Sequence, residues 1–168
     1  MLWLVNKFRD SAFGLPLCNG RFTVSLLRPR DLWQVAWLER QNFPEPLSFW
    51  KLLCLWLQPA TTYLALKEGG RLAAYIGFQA YGPMAHTISM CVAPAYRRRG
   101  LGKFIQQAAD QVAVRRGLRW FCGEVRVSNA AQLKMLSELG WQKVGVVPRF
   151  FANGEDAVFV LGWLEGRR

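Results

Sequence analysis

Residues 91–103 read Cys-Val-Ala-Pro-Ala-Tyr-Arg-Arg-Arg-Gly-Leu-Gly-Lys, and the architecture turns on how this stretch is read. Upstream, residues 84–93 alternate. Met84, His86, Ile88, Met90 and Val92 share one face, as a strand requires. Pro94 ends that strand. Downstream, apolar residues fall at 101, 104, 105, 108 and 112, the period of a helix over 101–116, with Arg115 and Arg116 in its last turn and Gly117 as its stop. The quoted stretch is therefore a strand-to-helix turn. The first amides of a helix have no partner one turn back, and the helix dipole makes that end positive. Gly100 and Gly102 lack a Cβ, so an anion can approach the backbone closely. Arg97, Arg98, Arg99 and Lys103 add charge, and together these features suit a pyrophosphate. The turn is not a Walker A loop, which spaces its glycines further apart and ends in Lys-Ser/Thr. Nor is it the GxGxxG fingerprint, since no third glycine follows. The competing reading is a basic turn ahead of an ordinary helix.

Working outward, residues 21–27 (RFTVSLL) read as a strand and residues 28–40 as a helix entered through Pro29 and Asp31. Phe43-Pro44-Glu45-Pro46 breaks it, and Ser48 can cap a second helix. Strands at 62–67 and 71–80 flank Gly69-Gly70, a hairpin signature. After the helix over 101–116 come a strand at 119–127, then a helix over 130–139 with Asn129 and Gln132 as a capping pair. Strands at 141–149 and 156–163 close the chain around Asn153-Gly154. The order β-α-α-β-β-β-α-β-α-β-β describes one mixed α/β domain over 21–168, preceded by an extension at 1–20.

The composition agrees with a globular domain. The 168 residues are 52% hydrophobic and 20% charged, with a net charge of +11. Such a field attracts polyanions: coenzyme phosphates, RNA, ribosomes or acidic membrane. Cys18, Cys54, Cys91 and Cys122 are scattered and His86 is the lone histidine, which is poor ligand arithmetic for a metal. Reduced, mostly buried thiols in a cytoplasmic protein are expected. The N-terminal residues place their charges after the apolar stretch, the wrong order for a signal peptide, and no run is long enough to span a membrane.

The motifs together carry a family resemblance. CVAPAYRRRGLG (91–102) resembles motif A of the GNAT superfamily of N-acetyltransferases, and EVRVSNAAQLKMLSELGW (124–141) resembles motif B. With FPEP (43–46) and GEDA (154–157) the chain looks closest to the RimI-like group, the ribosomal-protein-alanine acetyltransferases, over roughly residues 21–163. The resemblance implies a mixed, mostly antiparallel sheet of about seven strands with helices on both faces. It also implies that the fourth strand (84–93) splays from the fifth (119–127) and that acetyl-CoA enters the gap. By resemblance, backbone groups around Met90, Cys91 and Val92 hold the pantetheine. The segment Arg97, Arg98, Arg99, Gly100, Leu101, Gly102 and Lys103 holds the pyrophosphate, and Asn129 touches the cofactor. No metal is implied.

An ammonium ion cannot attack a thioester, so an amine acceptor needs a base near neutral pH. Glu124, mid-strand between Gly123 and Val125, is the candidate; the competing reading is a structural Glu124–Arg126 pair. In the family a tyrosine four residues before the glycine matching Gly140 protonates the departing thiolate; here that residue is Leu136. Water, Ser137 or Tyr96 is left as the proton source. Phe43 and Glu45 on one side, and Phe150, Phe151 and Glu155 on the other, match the segments that flank the acceptor. Phe150-Phe151 stands where the family often has a tyrosine pair. His86 reads as a packed core histidine. Residues 49–57 (FWKLLCLWL) are apolar nearly all round, which points to a buried helix, with an apolar acceptor pocket, a dimer contact or a membrane-surface patch as alternatives. The acceptor is expected to be a protein N-terminal amine. A small amine, or a non-catalytic acyl-CoA-binding or RNA-associated module, are the competing readings, and the protein is expected as a monomer or homodimer.

Overall fold

The computed structural model describes residues 10–164. Its eight strands form one sheet in the order β1-β2-β3-β4-β5-β6-β8-β7. These are β1 (Leu17–Asn19), β2 (Phe22–Leu26), β3 (Thr61–Glu68), β4 (Arg71–Tyr81), β5 (Met84–Val92), β6 (Trp120–Arg126), β7 (Gln142–Val147) and β8 (Ala157–Trp163). Every neighbouring pair is antiparallel except β5 and β6. Among the described residues the α-helices are α1 (Leu32–Asn42), α2 (Phe49–Leu57), α3 (Leu101–Arg115) and α4 (Ala130–Glu138).

The sheet separates two cores. On one face Leu101, Ile105, Ala109 and Val112 of α3 and Leu136 of α4 pack on Val24, Leu66, Ile76 and Phe121. On the other, Val35 and Leu38 of α1 and Leu52 and Trp56 of α2 pack on Tyr63 and Tyr75. The sequence signals act as read. The Gly69-Gly70 turn takes φ of +53° and +87°. Ser48 Oγ accepts from Lys51 N at 3.2 Å, and Asn129 Oδ1 accepts from Gln132 N at 3.1 Å.

Four features differ from the reading. First, the sheet has an eighth strand, because Leu17–Asn19 pairs with Phe22–Leu26 and Leu15 enters the core. The expected boundary at residue 20 thus falls inside a hairpin; residues 1–9 of the extension lie outside the described residues. Second, α2 buries only Leu52 and Trp56, since a helix on one side of a sheet has one face to cover, and Trp50 is 72% exposed. Third, Cys91 and Cys122 are buried but Cys18 and Cys54 are exposed. Fourth, β5 does not keep one alternation. Ser89 pairs with Gly77 and Thr87 with Phe78, so Ile88 is an extra residue, a β-bulge. Beyond it the faces exchange: Met90 and Val92 join the α3 side while His86 and Cys91 stay on the α1–α2 side.

The parallel pairing of β5 with β6 covers only Met84↔Trp120, Ala85↔Phe121 and His86↔Cys122. Past that point both strands continue, β5 to Val92 and β6 to Arg126, without pairing. At the branch a Cβ on Gly123 would lie 3.2 Å from Thr87 Cβ, so glycine lets the strands approach just before they part. The edge of β5 from Thr87 onward faces an opening.

Candidate active site

A cavity of about 610 Å³ occupies that opening on the side of the strand-to-helix turn. Met90, Cys91, Val92, Arg97, Arg98, Gly100, Leu101, Gly102, Lys103 and Asn129 all line it. Arg99, expected among them, does not; its guanidinium lies 5.6 Å over the Tyr96 ring. Arg97 is turned inward as a brace, donating from Nε to the Val92 carbonyl at 3.2 Å and from Nη2 to Asn42 Oδ1.

The turn is a cradle of amides. Arg98 and Gly100 are left-handed, with φ of +58° and +73°, and such alternation turns successive N–H groups toward one concave side. The first helical bond is Phe104 N to Gly100 O at 3.0 Å, so the amides of Leu101, Gly102 and Lys103 precede any carbonyl that could accept them. The two glycines work differently. Gly100 has open space around its missing Cβ and serves the backbone conformation, whereas a Cβ on Gly102 would sit 3.1 Å from Met135 Sδ.

A second cavity of about 420 Å³ adjoins the first; Phe43, Met90, Asn129 and Gln132 belong to both walls. Glu124 faces it, with a side chain 19% exposed. Glu124 Oε2 lies 2.9 Å and Oε1 3.2 Å from His86 Nε2. The hydrogen bond to Glu124 raises the His86 pKa above its ordinary value, against the lowering effect of partial burial. His86 is thus half-buried at the site, not packed in the core, because Cys122 opposes it on the same face and Glu124 follows one step along β6. The expected Glu124–Arg126 alternative gives way to other pairings of the arginine. Arg126 Nη1 binds Glu155 Oε2 at 2.9 Å, Nη2 lies 3.5 Å from Glu45 Oε1, and the guanidinium sits 3.8 Å over the Phe151 ring.

Phe43, Glu45, Phe150 and Phe151 line this second cavity, as expected. Glu155 does not. It accepts from Ser128 N at 3.0 Å, Ser128 Oγ at 2.5 Å and Arg126. Those bonds, Ser128 foremost, hold its carboxyl down at about 2. The two flanking loops are tied together, since Glu45 Oε1 also accepts from Asn153 N at 3.3 Å. Sequence reasoning missed a further member of the wall, Glu39, which is buried. Its Oε1 accepts from Tyr75 and from Ser89 Oγ at 2.5 Å, and its Oε2 from Leu47 N at 2.9 Å. Leu136 is 3% exposed and belongs to the core. Ser137 lines neither cavity; Tyr96 lines the first, and its interaction with Glu68 raises its pKa above the ordinary value. Among the described residues no group of three or more His, Cys, Asp or Glu is placed to hold a metal.

An amide cradle, a strand edge opened by a splay, and a carboxylate in the adjoining cavity form the frame of an acyl-transfer site. The sequence model of the acetyltransferase (GNAT) family matches residues 28–141. The chain belongs to that family. An N-alpha-acetyltransferase RimI of Mycobacterium tuberculosis is 31% identical over 147 residues, 80% of this chain and 88% of the relative. The ribosomal-protein-S18-alanine N-acetyltransferase of Escherichia coli superposes with a TM-score of 0.78 at 25% identity, covering 85% of this chain and 94% of that one. A spermidine N-acetyltransferase of Vibrio cholerae, solved with CoA and spermine, shares the fold with a TM-score of 0.75 at 20% identity, covering 89% of this chain and 99% of that one. This GNAT protein is accordingly an N-acetyltransferase with RimI-like relatives.

Proposed function

We propose that this GNAT enzyme transfers acetyl from acetyl-CoA to the α-amine of a protein N-terminus, with Glu124 as the base. The observation that carries the reading is a cavity lined by the Glu124 carboxylate that shares the wall residues Phe43, Met90, Asn129 and Gln132 with the cavity at the amide cradle. The coenzyme, when bound, supplies an activated thioester. The amides of Arg98 to Lys103 hold its diphosphate, and the free edge of β5 pairs with its amide-bearing arm. Glu124 takes the proton of the incoming ammonium, directly or through water, and His86, 2.9 Å away, carries it onward. No protein hydroxyl is assigned to the departing sulfur. As the freed amine nitrogen bonds the acetyl carbon the C–S bond would break, and a thiol of pKa about 8.5 would depart as thiolate without an acid from this chain.

The charges of the acceptor cavity favour a single amine over a polyamine. Of its three carboxylates, Glu39 is buried and satisfied and Glu45 faces Arg126. Only Glu124 is left for a cation, whereas a polyamine needs a row of acids. The names of two relatives point the same way, one to an α-amine and the other to an alanine of a ribosomal protein, and under this reading the enzyme works in the cytoplasm.

Thiol release from acetyl-CoA, measured with an alanine-terminated ribosomal-protein peptide and with spermidine, tests the proposal. The peptide should turn over and spermidine should not. Glu124→Gln should lower kcat by about 10²- to 10⁴-fold while leaving the calorimetric affinity for CoA unchanged. Binding of CoA without thiol release on any amine would instead make the protein a non-catalytic acyl-CoA-binding module.

A further inference from the structure

The outer faces of α1 and α2 carry a surface that acetyl transfer does not use. Arg30, Trp33, Trp37 and Arg40 are all exposed and follow one another at three- and four-residue spacing, one stripe along the outside of α1 and the turn before it. Trp33 is 67%, Trp37 59% and Trp50 72% exposed. They form one patch. Trp33 stacks on Phe49 at 4.2 Å, and Phe49 meets Trp50 edge-on at 5.5 Å. On α2 the exposed residues Trp50, Cys54 and Leu57 extend it along the helix. A lone exposed aromatic is ordinary, but three adjoining indoles with aliphatic neighbours mark a contact surface.

The charge around the patch has one sign. Arg30, Arg40 and Lys51 are exposed. The acidic residues of this region are Asp31 and Glu39, both buried, and Glu45, which faces Arg126. The whole chain adds a net charge of +11. We propose that this face docks the protein on the surface of an anionic membrane. Indoles settle at the headgroup level, where the ring is dry and the N–H wet, and cations beside them meet lipid phosphates. Among the described residues no helix is long and apolar enough to cross a bilayer, so the contact is with its surface. A second copy of the chain would set like charges together with no carboxylate to answer them. Nucleic acid would use the indoles but leave Leu57 and Cys54 uncovered. Lys51 and Leu55 of α2 line the acceptor cavity, so docking also brings the acceptor entrance beside the lipid.

Co-sedimentation of the full chain with vesicles of phosphatidylglycerol in phosphatidylcholine, against phosphatidylcholine alone, tests this. The protein should pellet with the anionic vesicles at moderate salt, with a blue shift of its tryptophan emission. A variant carrying Trp33→Ser, Trp37→Ser and Trp50→Ser should partition at least roughly tenfold less, with melting and CoA titration like the parent. The pair Arg30→Glu and Arg40→Glu should show the same loss, and it stands in if the triple variant melts early. No pelleting of the parent, or unchanged pelleting of both variants, overturns the proposal. So does a parent dimer that the tryptophan variant loses without any vesicle binding, which assigns the face to a second copy. RNA retention abolished by the same substitutions, again without vesicle binding, overturns it in favour of nucleic acid.

Discussion

At the level of single residues, the partner of Glu124 decides how the site titrates. His86 binds its proton more tightly in the fold than in the unfolded chain, because the Glu124 carboxylate faces it. A pKa raised on folding gives stability that is complete below the unfolded value of about 6.5 and is lost as pH rises through the folded value. Urea unfolding of the parent should therefore show stability falling with rising pH across that window, and His86→Gln should remove the slope. Activity has the opposite sign. Under the proposed mechanism protonated His86 cannot accept a proton from Glu124, so kcat/KM on a peptide should climb as His86 deprotonates, and the His86→Gln profile should keep only the ionisation of the acceptor amine. An unaltered profile would show that His86 carries no proton. Glu124 was legible in the sequence as an acid in an apolar strand. His86 was not, because the two residues lie 38 apart in sequence and meet only through the short parallel pairing of β5 with β6.

Among the elements, the strand-to-helix turn was the most legible, because its glycines, its charge and its flanking periodicities agree. The role of each glycine was not, since composition does not distinguish a left-handed residue from a tight contact. The two can be separated. Gly100→Ala meets no neighbour, so its cost of about 1–2 kcal/mol is that of left-handed backbone alone. It should also turn the amides away and weaken CoA binding, as calorimetry would record. Gly102→Ala meets the flexible end of Met135, which can move, and should cost less stability. The bulge at Ile88 was hidden for another reason: an inserted residue leaves an alternating strand looking regular while exchanging its faces. The loops around the acceptor show a third limit, because Arg126 joins Glu45 to Glu155 across 110 positions of sequence, a contact no local pattern announces. Arg126→Ala leaves the two loops tied only by the Asn153 N to Glu45 Oε1 bond, so the KM for a peptide acceptor should rise while the KM for acetyl-CoA stays near the parent value. The brace itself is insensitive to working pH. The depressed Glu155 pKa keeps the carboxylate charged, and its contribution is complete above the ordinary carboxylate value of about 4.5 and is lost as pH falls from there through about 2.

For the whole molecule, the splay leaves the sheet joined at one end and open at the other, with the larger of the two cavities described between β5 and α4. A ligand lying there touches α3 through the cradle, β5 through its edge and α4 through Asn129 and Gln132, and so links elements that the open end leaves apart. It binds the folded chain and has no site on the unfolded one. At a concentration about a hundred times its Kd it therefore stabilises the fold by about 2.7 kcal/mol. For a domain of this size that amounts to a rise in Tm of roughly 5–10 °C. The positive field of the chain speeds the approach of the coenzyme phosphates, and salt screens this more strongly than the short-range amide contacts. Thermal unfolding with CoA, acetyl-CoA and pantetheine separates the two ends of the cavity. The first two should raise Tm and pantetheine, which lacks the diphosphate, should raise it much less. In Gly100→Ala the three ligands should converge, because the amides that tell them apart have turned away. A melting curve that none of these ligands moves would mean that the turn at Arg97 to Lys103 is only a basic loop before a helix.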